Sequence, residues 1–417
     1  MTGAPPSPTA TPDHKLPAEF RVSPFWRLMP AGMRRRWWLF RPLDLLARLW
    51  PVGDRRGLLC VRMDGIGDMV LFRGALDHYA EVFGLERSEI TVLGCESWQG
   101  IAPQIFEGYE VLFINEHAYA KRPLYRFRVN LRVRRLAPAI VVTDQYFRRA
   151  LMADSPTWVT GAPRQIVSLP YVNQPTRTEF TYYMSQVGEV VDTGPYPTHE
   201  INRHARFLSA VAGTEIVAQS PRLAWKRSRD PIAQGRPYAV LNPGSNEFGR
   251  RWPLGHYVDL SARLANQGLR VVFIGKGDEK AIGKGDEKAA GTAIADAADG
   301  DTILDWTGKT TLPDILDLMK GAALVVSNDT GPAHLAIGLG APTVVIVGGG
   351  RFGCFVPYPP ELTPETVRFV YERMDCYHCF WRCPKREDRR QSFPCVAAVA
   401  IERVEAACHA VLKAAAD

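Results

Sequence analysis

The feature that most restricts what this chain can fold into is a β/α alternation that runs through it twice. Short β-rich runs occur at 58–62 (LLCVR), 90–94 (ITVLG), 111–115 (VLFIN), 139–143 (AIVVT) and 157–161 (TWVTG), with longer helix-like stretches between them. Residues 214–237 lose the pattern. It restarts with YAVLNPG (238–244), RVVFIG (270–275), TILDWTG (302–308), ALVVSND (323–329) and TVVIVGG (343–349). Alternation of this kind predicts a parallel sheet with helices on both faces. Two such blocks predict an α/β protein of two Rossmann-like domains facing a central cleft, with ligands beyond the carboxyl ends of the strands. The 417 residues, 46% of them hydrophobic, suffice for two cores.

The expected organisation follows. Residues 1–20, rich in Pro, Thr and Ala, read as a disordered tail. Residues 21–56 form a basic, Trp-rich segment, residues 57–213 the first domain, 214–237 a linker, 238–395 the second domain and 396–417 a final helix with apolar residues at helical spacing. A tandem octapeptide, GKGDEKAI (275–282) then GKGDEKAA (283–290), is too short for a structural repeat and reads as a local duplication after a strand.

A net charge of +7 favours anionic partners: nucleotide diphosphates, phosphorylated glycans, acidic membrane surfaces or nucleic acid. Residues 21–50 hold seven Arg against one acid, Asp44, interleaved with Trp26, Trp37, Trp38 and Trp50. Such a segment either packs on the domain with solvated Arg or lies on an anionic membrane, Arg at lipid phosphates and Trp and Leu in the interfacial zone. Nucleic acid is not the expected partner. No apolar run is long enough to span a bilayer, and the first residues lack the apolar core of a secretory signal. The expected location is cytoplasmic, peripheral on the inner face of the inner membrane.

Three motifs can carry chemistry. In VRMDGIGDMV (61–70) a strand ends near Arg62, Gly65 and Gly67 allow a tight turn, and a helix starts near Asp68. A carboxylate there can take a proton from a sugar hydroxyl, or simply cap the helix. In LNPGSNEFGRRWPLGHY (241–257) a loop with Ser245 and Asn246 can offer amides and hydroxyls to a phosphate, and Arg251 a bidentate cation. The alternative is a surface Arg pair, Arg250 and Arg251, beside a helix start at Pro253. In SNDTGPAHLA (327–336) a buried strand leads into Asp329, Thr330 and Gly331, whose amides could hold a diphosphate. His334 sits one turn in, either near that site or as a satisfied buried histidine. GGGRFG (348–353) could line the same cleft. No G-x-G-x-x-G follows a strand, which argues against a nicotinamide oxidoreductase.

Taken together and in order, R-x-D-x-I-G-D-x-V-L at 62–71, N-P-G-S followed by R-W-P, and S-N-D-T-G-P-x-H-L-A resemble the motifs of glycosyltransferase family 9, the ADP-heptose:lipopolysaccharide heptosyltransferases. The resemblance runs from about residue 57 to 410. It implies a GT-B fold and transfer of a sugar, heptose or related, from a nucleotide diphosphate donor to a lipopolysaccharide or other cell-surface glycan acceptor. It implies inversion and no required metal or other cofactor. It matches Asp68 to the catalytic base. Ser245, Asn246 and Arg251 fall in the phosphate-facing loop, and Asp329, Thr330, Gly331 and His334 in the donor-binding turn. It also implies a ribose-binding acid among Asp278, Glu279, Asp286 and Glu287. Competing readings are a sugar-nucleotide epimerase or hydrolase on the same fold, and a non-catalytic membrane-associated member.

Eight Cys in a chain this size do not make a disulfide scaffold. Cys376, Cys379, Cys383 and Cys395 form a cluster whose C-x-x-C half-site could hold a structural zinc. Reduced thiols without metal, or disulfides, are the alternatives.

Overall fold

The computed structural model describes residues 16–416 apart from 230, 231, 233, 234, 276–293 and 295. Among the described residues twelve strands form two six-stranded sheets. The first contains β1 (Leu58–Val61), β2 (Ile90–Cys95), β3 (Glu110–Ile114), β4 (Ile140–Thr143), β5 (Arg164–Ser168) and β6 (Glu189–Val191), in the order β3-β2-β1-β4-β5-β6. The second contains β7 (Tyr238–Asn242), β8 (Arg270–Phe273), β9 (Ile303–Asp305), β10 (Leu324–Asn328), β11 (Thr343–Ile346) and β12 (Val367–Val370), in the order β12-β11-β10-β7-β8-β9. Every pairing in both sheets is parallel. Read from its first strand outward, each sheet has the same topology. The order reverses between β1 and β4 in one and between β7 and β10 in the other, and these are the points where doubly wound sheets open a crevice.

The strands read as continuous apolar runs because both faces are covered. In the first sheet Leu58 and Cys60 face a core with α3 (Ile66–Phe83), while Leu59 and Val61 face one built with α4 (Pro123–Arg135). Further out on the α4 side lie α1 (Pro24–Leu28), α2 (Arg35–Arg48), α5 (Asp154–Thr160) and α6 (Arg177–Met184). The α3 side also carries α7 (Glu200–Ala212). In the second domain α8 (Leu254–Asn266) and α11 (Ile401–Ala416) share one core, and α9 (Leu312–Gly321) and α10 (Gly331–Gly338) cover the other face. The core around α3 continues without a break into Leu318, Val325 and Leu335, so the two domains share buried apolar surface. Residues 214–237 hold no helix or strand among the described positions, yet are pinned: Leu223 N–H donates to Gly338 O at 2.7 Å and Trp225 Nε1 to Asp317 Oδ1 at 2.8 Å.

Two sequence expectations are corrected. TWVTG (157–161) is not a strand but the end of helix α5 and its cap. β-Branched and aromatic residues suggested a strand, yet all seven residues of α5 are buried, and Gly161, at φ 54°, ends the helix in the left-handed region. The sheet takes β5 from the polar-flanked RQIVS instead. Within the stretch expected to be disordered, Ala18–Phe20 forms a 3-10 turn with Phe20 buried.

Candidate active site

The site is built at the two switch points. β1 delivers Arg62 and Asp64 into the turn that opens α3, and β4 delivers Asp144, Gln145 and Phe147 beside it. Across the interface, β7 leads into the 243–251 loop and β10 into Asp329 and Thr330. The N-termini of α3 and α10 meet. A Cβ placed on Gly331 would lie 2.9 Å from Ile66 Cβ and 3.5 Å from Gly67 N, and one on Gly67 would lie 2.8 Å from the His334 ring. Glycine is required at both positions because only a bare backbone permits this approach. Two positive helix ends therefore converge with their first amides unpaired by the helix.

Asp68 occupies the third position of α3, and Gly65, not Asp68, is the N-cap. No described residue donates a hydrogen bond to its carboxylate, which opens into a cavity lined also by Arg62, Asp64, Gln145, Phe147, Glu200, Arg351 and Phe355. Burial, and secondarily the Asp64 charge, push the Asp68 carboxyl up to about 7, with Arg62, Arg351 and Arg250 opposing. Burial likewise raises Glu200, at the first turn of α7, to about 8. Its Oε1 has no hydrogen-bond partner, and Arg203 Nε lies 3.8 Å away.

Behind these groups a closed network fixes the floor. Arg62 pairs with Asp144 at 2.5 Å and with Asp64 at 2.8 Å, and its guanidinium lies 4.3 Å over the Phe72 ring. Asp144 also accepts from Tyr79 at 2.8 Å and meets His204 Nδ1 at 2.7 Å. Burial opposes ionisation of Asp144, but Arg62 and His204 hold it well below the usual carboxylate range. Gln145 Nε2 bonds the Asp64 carboxylate. Asp64 is thus engaged, whereas Asp68 is free.

The second domain supplies cations. Arg250 pairs with Asp329 Oδ2 at 2.9 Å, bonds the Asp329 carbonyl, and lies 4.6 Å from the Trp381 ring. Arg251, the expected phosphate contact, donates to Ser245 O at 3.1 and 2.8 Å and so shapes the loop. The 3-10 turn Phe248–Arg250 sets which of the two adjacent arginines points at the β10 turn. Arg351, from the GGGRFG stretch, reaches the first domain's pocket and lies 4.5 Å over Phe147. Burial lowers its guanidinium, Asp68 opposing that. Neither Arg351 nor Glu200 was singled out in the sequence, because each reaches the cavity from a distant segment.

Ser245 is half-buried and Asn246 exposed in the 243–251 loop. Thr330 is the N-cap of α10, and its Oγ1 accepts from Asn242 Nδ2 at 3.2 Å, tying the two switch-point strands together. His334 is buried, meets Tyr358 OH through Nδ1 at 2.8 Å, and is lowered by burial to about 4. It is a neutral histidine whose ring lies against Gly67 where α3 and α10 approach. Asp278, Glu279, Asp286 and Glu287, with both octapeptide copies beyond Gly275, lie outside the described residues.

The four clustered cysteines, Cys376, Cys379, Cys383 and Cys395, are neighbours in space. All eight cysteines are unpaired, and among the described residues no three His, Cys, Asp or Glu gather to hold an ion. Packing contacts hold the Cys376, Cys379, Cys383 and Cys395 region against the second domain. Gly349 N–H donates to Cys395 Sγ at 3.4 Å, and the Tyr377 and Trp381 rings press on Gly349 and Gly350. Burial, with the neighbouring thiols of the cluster adding to it, raises the Cys379 and Cys395 thiols.

Two parallel sheets of this order, meeting at their switch points, define a GT-B-type fold. Solved structures share it: ADP-heptose lps heptosyltransferase II of E. coli (TM-score 0.61, 16% identity, 87% of this chain and 100% of that one) and a family 9 glycosyl transferase of Veillonella parvula DSM 2008 (TM-score 0.66, 14% identity, 87% and 98%). The model of glycosyltransferase family 9 (heptosyltransferase) matches residues 190–379, a little under half of the chain. The lipooligosaccharide heptosyltransferase 2 of Haemophilus influenzae is 30% identical over 131 residues, 31% of this chain and 34% of that protein. The matched region thus spans about a third of the length of the curated relatives.

Proposed function

We propose that this protein is an inverting glycosyltransferase. It moves a sugar, heptose or related, from a nucleotide diphosphate donor to a hydroxyl of a lipopolysaccharide or other cell-surface glycan, on the cytoplasmic side of the inner membrane. The observation that carries the reading is the meeting of α3 and α10. Asp68, a free carboxylate, opens beside the helix end that presents Thr330 and Gly331. Two helix N-termini, Arg250 and Arg351 concentrate positive charge there, which suits a diphosphate.

In the proposed step Asp68 takes the proton of the acceptor hydroxyl. The hydroxyl oxygen forms a bond to the anomeric carbon while the bond from that carbon to the phosphate oxygen breaks on the opposite face. The nucleotide diphosphate leaves with the electron pair, and Arg250 and the α10 amides stabilise its growing charge. No metal enters the step.

The test measures donor binding and transfer in Asp68→Ala with a panel of ADP-, GDP-, UDP- and dTDP-sugars. Retained nucleotide binding with transfer lost supports the reading. Undiminished turnover removes Asp68 as base, and a failure to bind any nucleotide sugar removes the reading altogether.

A further inference from the structure

Among the described residues twelve large apolar side chains stand exposed, and nine of them fall between residues 25 and 50. Two more, Leu124 and Leu136, lie at the first turn and just past the end of α4, the helix on which α2 packs. Exposed apolar residues scattered singly need no explanation, but a concentration on one segment marks a contact surface.

Helix α2 shows why the fold does not account for them. Trp37, Phe40, Asp44 and Ala47 are its buried stripe, at spacings of three and four. That stripe seats the helix on the domain. Trp37 meets Tyr182 edge-on at 4.9 Å, and Asp44 accepts from Arg126 at 2.9 and 2.8 Å and from Asn130 at 2.7 Å. One stripe is enough for a packed helix. A second, with Trp38, Leu39, Leu45, Leu46 and Leu49, faces outward. Immediately before it, the short α1 exposes Phe25 and Leu28, the latter 78% accessible.

Charge selects the occupant. Arg35 and Arg36 on α2 and Arg128 and Arg132 on α4 are exposed, while Asp44, the one acid between residues 21 and 50, is buried against Arg126. The outward side of this segment therefore carries arginines and no carboxylate. A second copy docked on the same patch would oppose arginine with arginine. An anionic headgroup layer pairs with them and takes Trp and Leu into its interfacial zone.

We propose that the outer face of α1 and α2, with the ends of α4, docks the protein on an anionic lipid surface, α2 lying in the headgroup plane. The buried Asp44–Arg126 pair makes this a rigid part of the domain rather than a loose anchor. The face lies on the α4 side of the first sheet, whereas the second domain packs on the α3 side through α10. The inference stands independently of the transfer reading.

The test is co-sedimentation of the full chain with phosphatidylcholine vesicles, with and without phosphatidylglycerol. The protein is expected to pellet with the phosphatidylglycerol vesicles, less so as salt rises. Leu28→Glu, Leu39→Glu and Leu46→Glu together should lower partitioning at least about tenfold. Arg35→Glu with Arg36→Glu should remove the preference for anionic lipid. All five sites are exposed, so the melting temperature should not move. Brominated lipid should quench tryptophan fluorescence in the unaltered chain and not in the triple variant. Absence of binding by the unaltered chain, or equal binding by the triple variant, overturns the proposal. So does a dimer, found by sedimentation velocity, that the triple variant dissociates, since the face would then serve a second copy.

Discussion

On the proposed function, Asp68 should carry the pH dependence of transfer. Its carboxyl is raised to about 7, so below that pH it holds its own proton and cannot accept one. The kcat/KM is expected to climb through about pH 7 and level off above it, and Asp68→Asn to flatten the profile at a rate lower by roughly 10²–10⁴. Glu200 acts on stability with the same sign. Its carboxyl is raised from 4.5 to about 8, so the folded state binds the extra proton. The stability that proton confers is whole below pH 4.5 and is lost as pH rises through about 8. Glu200→Gln should therefore stabilise the protein at pH 8 by roughly 1–3 kcal/mol relative to its effect at pH 5, read by urea unfolding at both pH values. For the donor, Arg250→Ala should weaken nucleotide-sugar binding by about 1.5–3 kcal/mol and Arg251→Ala by less, measured by calorimetry; the reverse order would return the phosphate contact to Arg251. These residues differed in how readable they were. Asp68, Thr330 and Gly331 sit where a strand, a glycine and a helix start follow in a few residues, and such punctuation survives in sequence. The choice between neighbouring arginines depends on a single 3-10 turn, and Glu200 and Arg351 join the site only through tertiary contact.

Among the elements, the pairing of α3 with α10 bears on function most directly. A methyl on Gly67 would collide with the buried His334 ring at 2.8 Å, and one on Gly331 with Ile66. Gly67→Ala is expected to destabilise the protein by about 1–3 kcal/mol and to lower transfer. Removing the obstructing ring in Gly67→Ala/His334→Ala should recover part of both, and a double-mutant cycle in melting temperature and rate checks it. At the other face, Asp44→Ala should cost about 3–5 kcal/mol, since it leaves Arg126 buried and unpaired. The repeated strand order was legible because buried parallel strands are apolar throughout and few residues long. What defeated the pattern was context. TWVTG has strand composition but is a buried helix, and RQIVS and the three-residue Glu189–Val191 are too short and polar-flanked to stand out. The two stripes of α2 illustrate a related ambiguity. Sequence periodicity showed that the segment was amphipathic, but only packing revealed which stripe meets the protein.

The whole molecule is one topology used twice, and the proposed chemistry depends on how the two copies are held together. Beside the shared core, an aromatic latch spans the interface. Phe380, at φ 53°, stacks on Tyr171 at 4.9 Å and Tyr196 at 5.1 Å, both from the first domain, and His378 Nδ1 meets Tyr196 OH at 2.7 Å. The latch grows from the cysteine-rich loop and flanks Arg351, which lies over Phe147 from the same first domain. The loop thus has a mechanical use: it holds Arg351 against the pocket that contains Asp68. If so, Phe380→Ala should leave each domain folded but loosen their docking by about 1–2 kcal/mol. Small-angle scattering should then give a larger radius of gyration for the free variant. The kcat should fall more than donor affinity does, because on the proposed function the donor-facing loops lie within one domain whereas Asp68 and the donor meet only across both. An unchanged scattering profile with full activity would leave the shared apolar core alone responsible for the alignment.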